Sequence, residues 1–417
     1  MYEIQKHPNG LRVITEHIPY VRSVSIGIWL GTGSMHEKPE ENGLSHFLEH
    51  MLFKGTDKRT ARGIAEEMDR VGGQINAFTS KECTCYYAKV IDEHLAVAMD
   101  VLTDIVLNAA LPEAEIDKER GVILEEISML EDTPEDLVHD MLQETVFAGH
   151  PLSLPILGKT SRIEGYSQSD LRKYKDAHYR PGNCVLSVAG NFRKAELEEL
   201  ISRTVGAWPG GEDETPEEAP YCFRPNMLAK SKDIEQIHLC LGYPGVPLGS
   251  EDAYAISIFN NLYGGSMSSR LFQRIREELG MAYSVYSYPS MMPGCGMLTV
   301  YAGTSQQHLE KVLGQIRGET ARVMDAGVSA DEFSMAKEQL KGSFILGLES
   351  SSARMSNIGR SLLLLGHVRT EDEVLEAIMN VTPEKMMQVA SESLLKPHGA
   401  AIVGRGASQI PEEWLLS

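Results

Sequence analysis

A pattern of strands and helices laid down before residue 190 starts over after residue 229, and this internal repeat constrains the fold more than any other feature of the chain. In the first half, Leu11-Arg-Val-Ile-Thr-Glu16 and the alternating Val24-Ser-Ile-Gly-Ile-Trp-Leu30 read as strands. An apolar helix follows over 44–52, then a helical pattern over 60–71 closed by Gly72 and Gly73. Residues 74–80 and 84–90 read as a hairpin, and helices are expected over 92–107, 114–130, 134–147 and 167–179, ahead of an apolar strand at 184–189. The run 208–220, dense in proline, glycine and acid, breaks the pattern. Beyond it come a strand at 237–242, a helix over 252–263, a strand at 297–301 and a helix starting at His308. Strands and helices interleaved without strict βαβ alternation predict an α+β fold of two homologous domains, each a mostly antiparallel sheet with helices packed on it. The expected boundaries are a first domain over 1–210, a linker over 211–228 and a second domain over 229–417.

The helix over 44–52 carries the chemistry. Leu44, Phe47, Leu48, Met51 and Leu52 recur at the spacing of one apolar face, with Asn42 placed as N-cap and Gly55 as the residue just past the C-terminus. His46 and His50 stand one turn apart, and Glu49 is three residues from the first His, so the three project as one cluster. Two neutral imidazoles at i and i+4 can share one zinc, and the Glu beside them can take a proton from zinc-bound water and pass it to a leaving amine. The pattern is H-x-x-E-H, the reverse of H-E-x-x-H.

Such a site needs a third ligand. The helix expected over 114–130 follows the N-terminal signal Leu111-Pro-Glu113 and holds Glu119 and Glu126, seven residues and nearly two turns apart, on one stripe, while Glu125 points elsewhere. Glu126 would complete a His2Glu set with one position left open, as catalytic zinc requires, and Glu119 would support a His ligand or the water. The competing reading of both glutamates is an ordinary solvated acidic face. Aligning Gly55 with Gly265 sets Ile256, Phe259 and Asn260 opposite His46, Glu49 and His50, and sets Ser343 opposite Glu126. The second half therefore keeps the fold pattern without a metal ligand.

His46-Phe-Leu-Glu49-His50, followed at this distance by Glu119-Arg-Gly-Val-Ile-Leu-Glu-Glu126, resembles the pitrilysin and insulysin type of zinc metallopeptidase, with the bacterial relatives of the mitochondrial processing peptidase β-subunit nearest. The likeness runs from Asn9-Gly-Leu-Arg-Val-Ile to Arg276-Glu-Glu-Leu-Gly280-Met-Ala-Tyr283. It implies that His46, His50 and Glu126 bind one zinc per chain, that Glu49 is the general base and that Glu119 is the supporting acid. It also implies substrate contacts from Arg276 and Tyr283 in the second domain, Arg274 being an alternative, and from Asn76, Ala77 and Phe78 as an edge strand that pairs with an extended peptide. Two such domains in the family form a half-shell, which implies a homodimer closing a chamber around its substrate. One departure is the missing glycine-rich loop of the processing peptidase's non-catalytic subunit: only Gly264 and Gly265 stand there, which weighs against presequence-type recognition.

Composition narrows the partners. A formal charge of -20 argues against nucleic acid and anionic membrane surfaces and admits basic peptides. No apolar run reaches membrane-spanning length, and the six cysteines show neither C-x-x-C pairs nor a disulfide framework. With no export signal in the first residues, they read as reduced thiols in a cytoplasmic protein; Cys83 and Cys85 fit packing on a strand better than a soft-metal pair. The function expected is a zinc-dependent endopeptidase acting on peptides or unfolded segments. The alternatives are a non-catalytic scaffold subunit of the same fold and a zinc hydrolase of small amides.

Overall fold

The computed structural model describes residues 2–210, 221 and 223–416, so most of the expected linker 211–228 lies outside the described residues. The chain forms two compact units, each built on one sheet. They are not the contiguous stretches 1–210 and 229–417. The first comprises Met1–Ile127, Leu154–Glu218 and Gly347–Val368; the second comprises Ser128–Ser153, Ala219–Leu346 and Arg369–Ser417.

The first unit's sheet holds β1 (Tyr2–Lys6), β2 (Arg12–His17), β3 (Ser23–Leu30), β4 (Gln74–Thr79), β5 (Thr84–Ile91) and β6 (Cys184–Gly190) in the order β1-β2-β6-β3-β5-β4. All neighbours are antiparallel except the parallel pair β2 and β6. Alternation along β3 explains the layering. Val24, Ile26, Ile28 and Leu30 enter a core shared with helices α1 (Leu44–Leu52), α2 (Ala61–Arg70), α3 (Leu95–Leu107) and α4 (Glu113–Glu131). Trp29 points the other way, joining Cys85 and Val185. That second face would be bare if covered only by the first half of the sequence. The helix Ser351–Leu365 covers it with Met355, Ile358 and Leu362. It approaches so closely that a Cβ on Gly359 would lie 2.2 Å from Trp29 Nε1.

The second unit repeats the arrangement with β7 (Met227–Ser231), β8 (Gln236–Pro244), β9 (Ala282–Met292), β10 (Cys295–Ser305) and β11 (Gly399–Gly404) in the order β7-β11-β8-β10-β9. Read in sequence order this is β2-β6-β3-β5-β4 again, and the one parallel pair, β7 with β11, falls at the equivalent place. The helix over one of its faces is α5 (Pro134–Val146), drawn from the first half of the chain: His139 bonds to the Tyr288 and Tyr286 hydroxyls at 2.7 and 3.2 Å, and Leu142 meets the bare Cα of Gly242. The helices Ala253–Tyr263, Leu309–Ala326 and Pro383–Leu394 supply the core of the other face. The architecture is α+β with mostly antiparallel sheets. No helix among the described residues is long and apolar enough to cross a membrane. Cys83, Cys85, Cys184, Cys240 and Cys295 are buried and not joined in disulfides, and Cys83 and Cys85 sit in the apolar layer beneath the helix Ser351–Leu365.

Candidate metal centre

Helix α1 presents three polar side chains from an otherwise apolar segment. Leu44, Phe47, Leu48, Met51 and Leu52 are at most 3% exposed, so the helix is pressed into the core and the stripe of His46, Glu49 and His50 is left at its open side. The two imidazole rings are 4.6 Å apart. On α4, Glu125 is exposed while Glu126 reaches the pair, with Oε2 3.6 Å from His46 Nε2 and Oε1 3.7 Å from His50 Nε2. These three residues each offer a ligand atom, all within 4.8 Å of one another. Ligands around tetrahedral zinc stand about 3.3 Å apart, and each His–Glu126 contact is within a few tenths of an ångström of that, although the set as a whole is bounded only by 4.8 Å.

The chemistry of the donors fits a divalent cation. Glu126 Oε2 is buried with no hydrogen-bond partner among the described residues. Burial, aided by the neighbouring His50, holds His46 down to about 3, so its imidazole is neutral with a lone pair to offer. At His50, Nδ1 lies 3.1 Å from Glu119 Oε2, and Lys54 Nζ lies 2.6 Å from the other oxygen, Oε1. Lys54 pairs with one oxygen of Glu119, the other accepts a hydrogen bond from His50 Nδ1–H, and the Nε2 lone pair is turned toward Glu126. Glu49 stands beside this set without belonging to it. Its Oε2 accepts a hydrogen bond from Thr79 Oγ1 at 2.5 Å, and burial pushes its carboxyl above the ordinary range, against the pull of that hydroxyl and of His50.

Both ends of α1 are fixed. Its N-cap is Gly43 rather than Asn42, at a φ of 95° that favours glycine. The capping acceptor comes from farther off: the buried Glu37 takes the Gly43 and Ser45 N–H groups at 2.8 Å each, and Asn42 turns its amide to Glu37 and to the Pro155 carbonyl. Burial pushes the Glu37 carboxyl up to about 7. The helix ends at Phe53, one residue earlier than a C′ role for Gly55 requires; Gly55 instead starts a turn bridged to Thr60. Arg59 pins that turn, donating to Asp104 at 2.8 Å and to Glu67 at 3.0 Å, and so steadies the segment that carries Lys54.

Asn76, Ala77 and Phe78 lie on β4, an edge strand paired only with β5. Alternation separates them. Ala77 and Thr79 face the core that holds α1, whereas Phe78 packs edge-on against Trp29 on the opposite face, and Asn76 shares that side. In the second unit, Ile256 and Phe259 are core residues and Asn260 accepts from the Ser287 hydroxyl at 2.7 Å, so the positions matching His46, Glu49 and His50 have become packing, while Ser343, matching Glu126, is exposed. The Arg276 guanidinium lies over the rings of Phe272 and Tyr283 at 4.7 and 5.4 Å, and Tyr283 is 77% exposed. Arg274 is engaged by Glu278 and Gln315. Thr79 and Glu37 were not legible as site residues, lying off the helix that marks the ligands; Lys54 continues the spacing of His46 and His50 but falls past the end of α1.

A paired α+β unit with a His2Glu centre and an acid beside it defines a class of reversed-motif metalloproteins. The comparisons narrow that class to a family. The profile described as Insulinase (Peptidase family M16) matches residues 12–160, and that of the Peptidase M16 inactive domain matches residues 166–340. The uncharacterized zinc protease YmxG of Bacillus subtilis is 45% identical over 395 residues, spanning 95% of this chain and 96% of the relative. An uncharacterized zinc protease of Streptomyces coelicolor is 40% identical over 404 residues, spanning 95% and 88%. Among solved structures, a protease from Helicobacter pylori superimposes with a TM-score of 0.90 at 20% identity, over 97% of this chain and 99% of that one. A peptidase M16 inactive domain from Pseudomonas fluorescens gives 0.90 at 18%, over 97% and 98%. At those identities the structural likeness is one of fold. The chain belongs to peptidase family M16.

Proposed function

We propose that the chain is a zinc-dependent endopeptidase that hydrolyses peptides or unfolded segments. The observation that carries this reading is the convergence of His46 Nε2, His50 Nε2 and the Glu126 carboxylate beside a separately held Glu49. A scaffold has no need of three converging ligands and a tethered acid, and the relatives named zinc proteases support the same reading. Zinc, one ion per chain, would be held by His46, His50 and Glu126. When bound it supplies Lewis acidity toward water and the scissile carbonyl. Glu49 takes the proton of the attacking water and returns it to the leaving amine, a role suited to a carboxyl whose proton affinity burial has raised. Glu119 and Lys54 keep His50 in the tautomer that offers Nε2.

An extended peptide would add to the free edge of β4 along Asn76, Ala77 and Phe78, bonding chiefly through backbone groups. On the resemblance alone, Arg276 and Tyr283 are assigned to the substrate backbone and scissile carbonyl oxygen, supplied by the partner chain of a homodimer. Basic peptides suit the charge of -20, and a reducing, cytoplasmic setting suits buried cysteines that are not joined in disulfides. The test is cleavage of a mixed peptide library by purified protein, before and after chelation and after zinc is returned. Cleavage lost on chelation and restored by zinc is expected; cleavage indifferent to chelator, or none with zinc bound, would overturn the reading. For the dimer, mixing inactive Glu49→Gln chains with inactive Arg276→Ala, Tyr283→Phe chains should restore part of the activity. No recovery after proven subunit exchange would refute sharing across chains.

A further inference from the structure

Glu49 makes one side-chain hydrogen bond among the described residues, and it comes from the edge strand. Thr79 is the last residue of β4, and its backbone is fixed opposite Thr84 in the β4 and β5 pairing. Alternation turns its side chain toward α1, and branching at Cβ leaves its χ1 little freedom. Its hydroxyl therefore meets Glu49 Oε2 at 2.5 Å from a rigid base. An ionised carboxylate only accepts, so Thr79 is the donor, and the bond occupies Oε2 and leaves Oε1 without a side-chain partner among the described residues.

We infer that Thr79 is a positioning residue: its hydroxyl fixes Glu49 by Oε2 so that Oε1 is the oxygen that accepts and returns the proton. The inference rests on the reading of Glu49 as the base. The proton balance is simple. Oε1 gains the proton as the water attacks and loses it to the amine, while Oε2 accepts from Thr79 in both states, so the tether need not break during a turnover. Without it, a three-torsion side chain spreads over several rotamers, and the fraction with an oxygen placed for transfer falls. A second consequence follows from β4 itself. The strand whose free edge would take the peptide also grips the base, so a peptide paired along it is set in register with Glu49 through one residue.

Thr79→Val keeps the branched shape and deletes the hydroxyl; Thr79→Ser keeps the hydroxyl. With zinc-loaded proteins and one quenched peptide, the Val variant should lose about tenfold to a hundredfold in kcat with KM changed less than about twofold. Its zinc affinity and thermal midpoint should match wild type, and the Ser variant should recover most of the rate. A Val variant as fast as wild type would overturn the inference, and so would loss of zinc or stability in both variants, which would make Thr79 a packing residue. A second readout stands apart from turnover: the 13C shift of the Glu49 carboxyl in zinc-free protein at fixed pH, assigned by its loss in Glu49→Gln. That shift should move in the Val variant and hold in the Ser variant; an equal shift in all three proteins would refute the tether. If wild type bound zinc and cleaved nothing, the proposed function would fail while the carboxyl shift still decided the contact.

Discussion

Substituting Glu119 by Gln should weaken zinc binding without removing a single ligand. The Glu119 side chain is 8% exposed and has two neighbours, Lys54 Nζ at 2.6 Å from Oε1 and His50 Nδ1 at 3.1 Å from Oε2. A glutamine can satisfy only one of them. With its carbonyl toward Lys54, its NH2 faces His50 Nδ1, which must then accept; the proton moves to Nε2, the nitrogen the metal needs. With the carbonyl toward His50, the NH2 is pressed against an ammonium and the half-buried Lys54 loses its counter-charge. Either way the cost falls on the tautomer that offers Nε2. Loss of such an orienting partner typically weakens metal affinity about 10- to 100-fold, or about 1.4 to 2.7 kcal/mol. Competition against a chromophoric chelator at fixed pH and salt measures it directly. Lys54→Met should give a smaller loss in the same direction, and the double variant should lose less than the sum of the two, since both act through one hydrogen bond. Zinc affinity within about twofold of wild type for Glu119→Gln would refute the reasoning.

Glu126→Gln should reduce zinc affinity more than Glu119→Gln does, because it alters a ligand; the reverse order in the same competition assay would make Glu119 the ligand. Gly359→Ala should destabilise the first unit by about 1–3 kcal/mol in urea unfolding, since its Cβ would lie 2.2 Å from Trp29 Nε1 and 2.7 Å from Ser187 Oγ; an unchanged midpoint would contradict the seating of the helix Ser351–Leu365. Burial holds His139 down to about 4 from an ordinary 6.5, with nearby Asp136 opposing. The unfolded chain thus takes up this proton near pH 6.5 and the folded chain only near pH 4, so the stabilisation is complete above pH 6.5 and is lost as pH falls to about 4. The stability gap between wild type and His139→Gln should narrow by about 3 kcal/mol from pH 7.5 to pH 4, and a constant gap would be evidence against a neutral buried imidazole.

Much of the site could be read because helix periodicity carries it. His46 and His50 at i and i+4, and Glu119 with Glu126 on one stripe of α4, are local patterns, and the structure brings all four side chains into contact. The internal repeat was legible too, and the second sheet does repeat the strand order of the first, an order that the sequence pattern itself does not give. What escaped depends on long-range placement. The apolar face of α5 marks a helix without saying which sheet it covers, so the crossing of α5 into the second unit and of the helix Ser351–Leu365 into the first has no sequence signal. Asn42 has the better capping propensity, but a remote carboxylate, Glu37, took the role and left Gly43 at the cap. Thr79 ends a hairpin strand whose pattern predicts pairing and nothing of the acid it touches. Asn76, Ala77 and Phe78 lie on an edge strand whose alternation gives only Ala77 to the face shared with α1, a division that side chains feel and backbone pairing does not.

The central claim is that Glu49 moves the proton in a site whose metal is held by other residues, and one comparison reaches it directly. Wild type and Glu49→Gln would be loaded to the same measured zinc content and given the same quenched peptide under single-turnover conditions. Equal zinc in both, with cleavage by wild type and a rate for the variant lower by about a hundredfold or more, is the predicted result. Equal zinc with equal cleavage would contradict the role given to Glu49, and loss of zinc from the variant would make that residue part of the metal's own support.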